Sequence, residues 1–357
     1  MSIETRHRAD GDAYYVVRFR VNGKSRSKTF ARRTDARRFD AGTQHSLNNG
    51  TYIPPRLGKM TLEAFANDWM NQQSCSGSTR AKYRSLLDAR IVPGLGSLTL
   101  DEVTPARINT FLHDLATELA PSTVTTIASL LSSLALSAVD NERIKRTFMP
   151  RRLSLPRAQA DRRVFLTSGQ VDRLVDAAEA RDKALIFTAA WTGLRWGELA
   201  GLRTERVDLD KRTIEVRETL VDVSGHLSLE APKTAHSRRT VALTAKNVCV
   251  LRDHLATYPP GNPWNLVFRS PHGSPLRDDT WRRRTWKPLV ESVADIPNST
   301  RFHDLRHSHV SLCNSAGMNL KSISVRVGHS SVKVTADRYM HIFSNVHERD
   351  LAALDAL

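Results

Sequence analysis

Two hydrophobic periods follow one another along this chain, and the switch between them rules out a single uniform fold. From Tyr14 to Val21 apolar side chains fall at every second residue, Tyr15, Val17, Phe19 and Val21, the spacing of one strand face. Asn22-Gly23 is suited to a tight hairpin turn, and Lys24 to Phe30 returns as a second strand with Lys24, Arg26 and Lys28 on one face. A short helix is expected from Thr34 to about Leu47, and Tyr52-Ile53-Pro54-Pro55 reads as a linker. From Thr61 the period becomes helical. Leu62, Phe65 and Trp69 share a face, as do Ile108, Phe111, Leu112 and Leu115 after the helix start Thr104-Pro105. Ile127, Leu130, Leu131, Leu134 and Val139 make a further stripe. Residues 1–55 are therefore expected to form a small α+β unit, and residues 61–150 an all-α bundle.

A basic, proline-bearing stretch from Lys145 to Arg163 leads into a third unit, 163–357. Thr167-Ser168-Gly169-Gln170 is a capping-box signature ahead of Val171, Leu174 and Val175. Helices are expected to about Leu202. Thr213 to Arg217 alternates as a strand, Ser224-Gly225 is a turn, and Leu227 to Val241 suggests more strands around a turn from Thr234 to Ser237. Helices return after Thr280. The expected fold is multidomain, its third unit mainly α with a small antiparallel sheet. The length of 357 residues suits two or three domains.

The formal charge is +16, and eleven Lys and Arg stand against five Asp and Glu in the first fifty residues alone. Self-repulsion of that size points to a polyanionic partner, for which nucleic acid is the usual one. A basic sheet of this size suits a DNA groove, with Arg18, Arg20, Lys24, Arg26 and Lys28 as contacts; a solvated hairpin face is the plainer alternative. Cys75, Cys249 and Cys313 are far apart and form no CxxC pair, which argues against a zinc site or a disulfide framework. No apolar run is expected to cross a bilayer, and the N-terminus does not read as a secretory signal.

Four separated pieces of the third unit carry potential chemistry. Thr192-Gly193-Leu194-Arg195-Trp196-Gly197-Glu198-Leu199 puts an arginine after a glycine break, and Pro232-Lys233-Thr234 puts a lysine at a strand edge. His303-Asp304-Leu305-Arg306-His307 places His303 and Arg306 on one helix face. Gly328-His329-Ser330-Ser331 is followed by Asp337-Arg338-Tyr339, the tyrosine ten residues past the histidine. Any one piece alone reads as a surface or core residue; all of them in one order within a strongly basic chain do not. Two guanidiniums, Arg195 and Arg306, suit the nonbridging oxygens of a phosphodiester under attack. A phenol, whose reference pKa is about 10, needs nearby positive charge and a base to act as nucleophile. Without a carboxylate cluster at ligand spacing, these motifs point to no metal.

The order Arg, Lys, His-x-x-Arg, Gly-His, Tyr resembles the catalytic signature of the tyrosine recombinase, or phage integrase, family, over about Thr167 to Tyr339. The resemblance implies a DNA breaking-rejoining catalytic fold, a core-binding helical domain and an arm-binding N-terminal unit. It implies Tyr339 as nucleophile, Arg195 and Arg306 as the phosphate clamp, and His303 as acceptor of the phenol proton. It implies Lys233 as general acid, with Lys246 and Lys211 as competitors, and His329 as a hydrogen-bond donor to the scissile phosphate. Glu198 orients the cationic groups without reacting. A 3′-phosphotyrosyl link preserves the energy of the broken bond, so no cofactor is required.

The partners implied are double-stranded DNA attachment sites, three further copies in a tetramer, an excisionase and a host DNA-bending protein, with no membrane, in a bacterial cytoplasm. The tail from His347 to Leu354 has an apolar helical pattern, to pack on a neighbouring copy or at home. Arg282-Arg283-Arg284, between Trp281 and Trp286, suits either DNA phosphates or a solvated face. A chromosome-dimer resolvase, a type IB topoisomerase and a DNA-binding regulator without chemistry are the alternatives to an integrase.

Overall fold

The structure is a computed structural model; it describes residues 2–8, 11–21, 23–49, 57–153, 155, 163–232, 237–261, 264–339 and 355. The chain divides into two compact units, Met1–Ala158 and Gln159–Leu357.

The first unit opens with strands β1 (Ser2–His7), β2 (Ala13–Val21) and β3 (Lys24–Phe30), an antiparallel sheet in the order β1-β2-β3. β1 was not expected from sequence: its one apolar residue is Ile3, and an edge strand needs little apolar pattern. Helix α1 (Arg33–Asn48) packs on this sheet, with Phe39 against Phe19 at 5.8 Å and Phe30 at 5.1 Å. Val17, Phe19 and Val21 are buried.

Helices α2 (Leu62–Gln72), α3 (Gly77–Leu86), α4 (Val92–Leu95), α5 (Pro105–Glu118) and α6 (Pro121–Asp140) follow, with a π-helical stretch at Leu87–Ile91. Thr61 and Thr104 cap α2 and α5 through their hydroxyls. Their core is built from Leu62, Trp69, Ile91, Ile108, Ile127 and Leu131. One expectation is corrected here: α6 is long and apolar enough to cross a membrane by length and composition. Nearly half of its most apolar stretch is buried within the unit, and Thr125, Thr126, Ser129 and Ser133 back-bond to carbonyls four residues earlier on its outer side.

The second unit begins with α7 (Ser168–Ala177), capped by the expected Thr167/Gln170 box, then α8 (Ala180–Thr192) and α9 (Trp196–Ala200). β4 (Val207–Asp208), β5 (Thr213–Val216), β6 (Thr219–Val223), β7 (His226–Glu230) and β8 (Arg239–Ala242) make two small antiparallel sheets, β4-β5-β8 and β6-β7. The strands expected around a turn at Thr234 to Ser237 do not pair with each other: β7 pairs with β6 and β8 with β5. The left-handed Ser224-Gly225 turn closes the β6–β7 hairpin. Helices α10 (Ala245–Thr257), α11 (Asp278–Trp281), α12 (Lys287–Ser292), α13 (Asp304–Ser315), α14 (Leu320–Val327) and α15 (Val332–Tyr339) complete the unit. Leu185, Leu199, Ile214, Val241, Trp281, Trp286 and Leu305 lie in one core. The expected helical tail, His347 to Leu354, lies outside the described residues.

Candidate active site

Two left-handed glycines shape the site. Gly193, at φ +67°, ends α8, and Gly328, also at +67°, ends α14. A Cβ on Gly193 would meet His309 Cδ2 at 2.7 Å, so the turn needs glycine twice over, for its conformation and for the close approach.

The chain then enters α9 at Arg195. Glu198, in the first turn, accepts a hydrogen bond from the Arg195 backbone N–H at 2.8 Å, one half of a capping box. Arg195 Nη1 donates to Glu198 Oε1 at 2.8 Å and Nη2 to the Gly328 carbonyl at 3.0 Å, while 37% of the side chain stays exposed. Arg306, in the first turn of α13, is buried and donates to the carbonyls of Gly193 at 2.6 Å and Val327 at 2.5 Å. Both guanidiniums are thus tied to carbonyls of the Gly328 turn, and Arg306 also to that of Gly193. Burial, then the charge of Arg195, pushes the Arg306 guanidinium down to about 9, which still leaves it charged at neutral pH. Burial would raise Glu198, but hydrogen bonds and charge from Arg239, then charge from Arg195, hold it down at about 2.

His303 stands at the N-cap of α13, its ring edge-to-face with His307 at 4.9 Å. Loss of water, then the charge of Arg306, lowers it to about 4, so it is a neutral imidazole at physiological pH. His329 follows Gly328, shares a hydrogen bond with Thr335 Oγ1 through Nδ1 at 2.7 Å, and stacks on the Tyr339 ring at 6.3 Å and 15°. Tyr339, the last residue of α15, is fully buried. Its ring meets Phe165 edge-on at 6.3 Å and lies 5.5 Å from the Arg163 guanidinium. Its hydroxyl shares a 2.6 Å hydrogen bond with His307 Nδ1. The sequence reading assigned that proton to His303; the structure puts His307, one helical turn further along the same face, at the hydroxyl. Loss of water, then the neighbouring His303, lowers His307 to about 3. Arg306 is near enough to feel the charge of Arg195 and Tyr339, and His303 that of Arg306 and Arg195.

Lys233 lies outside the described residues. Lys246, its competitor, pairs with Asp172 at 3.2 Å, and Lys211 with Asp208 at 3.0 Å. Two further arginines escaped the sequence reading. Arg239 is buried and holds Glu198 with two hydrogen bonds, 3.0 and 2.9 Å. Arg326 donates to His309 Nε2 and the Trp191 carbonyl, both at 2.9 Å. The available signal for Arg239 was its phase: it alternates inward with Val241 on β8, and an arginine on the buried face of a strand calls for a charged partner.

The candidate DNA-contact residues divide. Arg26 and Lys28 pair in register with Phe19 and Val17, on the sheet face that α1 covers, where Lys28 Nζ sits 4.7 Å from the Phe39 ring. Lys24 pairs with Val21 in the backbone ladder. Arg18 and Arg20 belong to the opposite, open face, and both are exposed. Arg282, Arg283 and Arg284 are exposed between buried Trp281 and Trp286, and Arg282 pairs with Asp278 and Asp279.

Residues 164–345 match the profile of the Phage integrase family, and residues 61–116 that of the phage integrase N-terminal SAM-like domain. The chain is 28% identical to the putative prophage phiRv2 integrase of Mycobacterium tuberculosis over 92% of this chain and 87% of the relative. It is 25% identical to the integrase of Mycobacterium phage D29, over 86% and 83%. In fold it is similar to the Tn1549 transposon integrase solved with circular intermediate DNA, at TM-score 0.73 and 20% identity over 83% of this chain and all of that one. It is also similar to the lambda integrase tetramer bound to a Holliday junction, at TM-score 0.59 and 19% identity over 92% and 95%. With the family profile covering half of its length and the arginine, histidine and tyrosine motifs gathered around two glycine turns, this chain belongs to the phage integrase family of tyrosine-type site-specific DNA recombinases.

Proposed function

We propose that this chain integrates a phage or mobile element by cutting and rejoining DNA through Tyr339. The observation that carries the reading is the pair of glycine turns whose carbonyls hold both Arg195 and Arg306. The arginines clamp the two nonbridging oxygens of the scissile phosphate and stay charged as negative charge builds. The Tyr339 oxygen attacks phosphorus, the bond to the 5′-oxygen breaks, and the chain becomes joined to a 3′-phosphate. A neutral imidazole takes the phenol proton: His303 by the family pattern, with His307 already at hydrogen-bond distance from the hydroxyl. Lys233 protonates the leaving 5′-oxygen, and His329 donates to the phosphate. Glu198 holds Arg195 in place. The tyrosine is fully covered here, so engagement with DNA must expose it.

The unit 1–55 binds arm-type DNA through the open sheet face of Arg18 and Arg20, the unit 61–150 grips the core site, and the unit 163–357 performs the chemistry. Four copies work on two duplexes in the bacterial cytoplasm, an excisionase and a host DNA-bending protein setting direction. The test is exchange between two plasmid-borne duplexes carrying the junctions of the element that encodes the chain. Recombinant joints support the reading. Relaxation of supercoils without joints would make the chain a topoisomerase of related chemistry, and neither product would reject the reading.

A further inference from the structure

The charge of the site is not what the resemblance alone would give. Glu198 is almost fully buried and contacts two arginines at once, Arg195 from its own helix and Arg239 from β8, forty-one residues away. A carboxylate facing one guanidinium takes both forks of it and cancels its charge. Here Arg239 takes that place. It donates Nη1 and Nη2 to the two carboxylate oxygens, in the fork-to-fork geometry, and leaves Arg195 a single side-chain contact through Nη1. Arg195, 37% exposed, therefore keeps the donors that Glu198 and the Gly328 carbonyl do not use for an anion outside. Two guanidiniums contact this carboxylate, and its charge also reaches Arg306.

Arg239 is also fixed from the remaining sides. Its Nε donates to the Arg326 carbonyl at 2.8 Å and Nη1 to the Ser237 carbonyl at 3.1 Å. Its guanidinium packs against Gly328 so closely that a Cβ there would stand 3.0 Å from Nη1. It thereby joins Ser237, the turn before His329, and the acid that holds Arg195. The Arg239 side chain itself is only 4% exposed, and both of its Nη atoms are committed to Glu198.

We propose that Arg239 is a positioning residue for the phosphate clamp, which occupies Glu198 so that Arg195 remains available to the scissile phosphate. The inference rests on the reading of Arg195 as a clamp residue. Without the Arg239 guanidinium, Glu198 turns both oxygens onto Arg195 and withdraws it from the phosphate. Cleavage then slows although DNA is still held by its other contacts.

The experiment uses the full-length chain and a nicked duplex spanning the junction of the element that encodes it. Wild type, Arg239→Lys, Arg239→Met, Glu198→Gln and the two double variants are compared by thermal melt, by duplex affinity, and by the single-turnover rate of covalent adduct formation at saturating protein. Arg239→Met is expected to slow adduct formation by about ten- to a hundredfold, the range for loss of one transition-state contact, with affinity changed less than about threefold. Arg239→Lys, which keeps the charge but only one contact with the acid, is expected to lose about three- to tenfold. In the Glu198→Gln background both losses shrink, because no carboxylate remains to capture Arg195; a purely structural role would leave them unchanged. Should Arg239→Met not fold, the lysine variant and its double decide alone. A wild-type rate in a folded Arg239 variant, an equal loss in both Glu198 backgrounds, or a loss confined to affinity would overturn the proposal. A wild-type chain that forms no adduct would instead reject the clamp reading itself.

Discussion

Three histidines within and just before α13 are held neutral, and that has a consequence for stability. His303 lies at about 4, His307 at about 3 and His309 at about 3. Loss of water is the first cause in each, followed by Arg306, His303 and Arg326 respectively. An unfolded histidine titrates near 6.5, so below that pH the unfolded chain binds more protons than the folded one and stability falls. Glu198 adds to the fall later: its contribution is complete above about 4.5 and is lost as pH drops towards 2. The melting temperature is therefore expected to decline from pH 6.5 downward, before most carboxylates titrate. A His309→Gln variant is expected to decline less steeply, and a flat wild-type profile between pH 7 and 5 would contradict the assignment. At this scale the sequence was informative wherever partners are near in the chain. Arg195 and Glu198 are three residues apart, as are His303 and Arg306, and helical spacing brings each pair onto one face. Arg239 and Glu198 carry no local spacing to connect them. The place of His307 depends on how α15 packs, which no periodicity in α13 encodes.

The elements repeat that division. Helix starts were readable in advance, from the apolar period after Thr61, from Pro105 after Thr104 and from the capping box at Thr167, because these are local signals. The β2–β3 hairpin was readable from its turn, but the partner of β8 was not, since β7 and β8 adjoin in sequence yet belong to different sheets. The α8–α9 turn makes the coupling of element to site testable. Gly193→Ala forces a Cβ into a left-handed residue and against His309. It is expected to destabilise the chain by about 1–3 kcal/mol, measured by urea titration, and to slow cleavage because the Gly193 carbonyl holds Arg306. Wild-type stability would show that the turn relaxes freely. In the first unit, Arg18 and Arg20 stand on the open face and Arg26 on the face that α1 covers. The double variant Arg18→Ala, Arg20→Ala is expected to weaken arm-site binding and to reduce its salt slope by about 2, near 0.9 per phosphate contact. Arg26→Ala is expected to change that slope little, and the reverse order would move the DNA to the other face.

Over the whole molecule, the chain carries a charge of +16 and divides into two compact units, and a charge of that size suits a polyanionic partner. Affinity for duplex DNA is expected to fall steeply and linearly in logarithm as salt rises, and a shallow dependence would mean that the basic surface is merely solvated. The passage from strands to the helices that begin at Leu62 followed from the change of period near Thr61, whereas the contacts between site residues more than a hundred positions apart needed the folded chain. The central claim is that Tyr339 becomes covalently joined to DNA. The most direct measurement incubates wild type and Tyr339→Phe with a nicked attachment-site duplex and separates the products under denaturing conditions. A denaturant-resistant adduct in wild type alone, with both proteins binding the duplex, is the expected result. An adduct that persists in Tyr339→Phe, or none in either despite intact binding, would contradict the account.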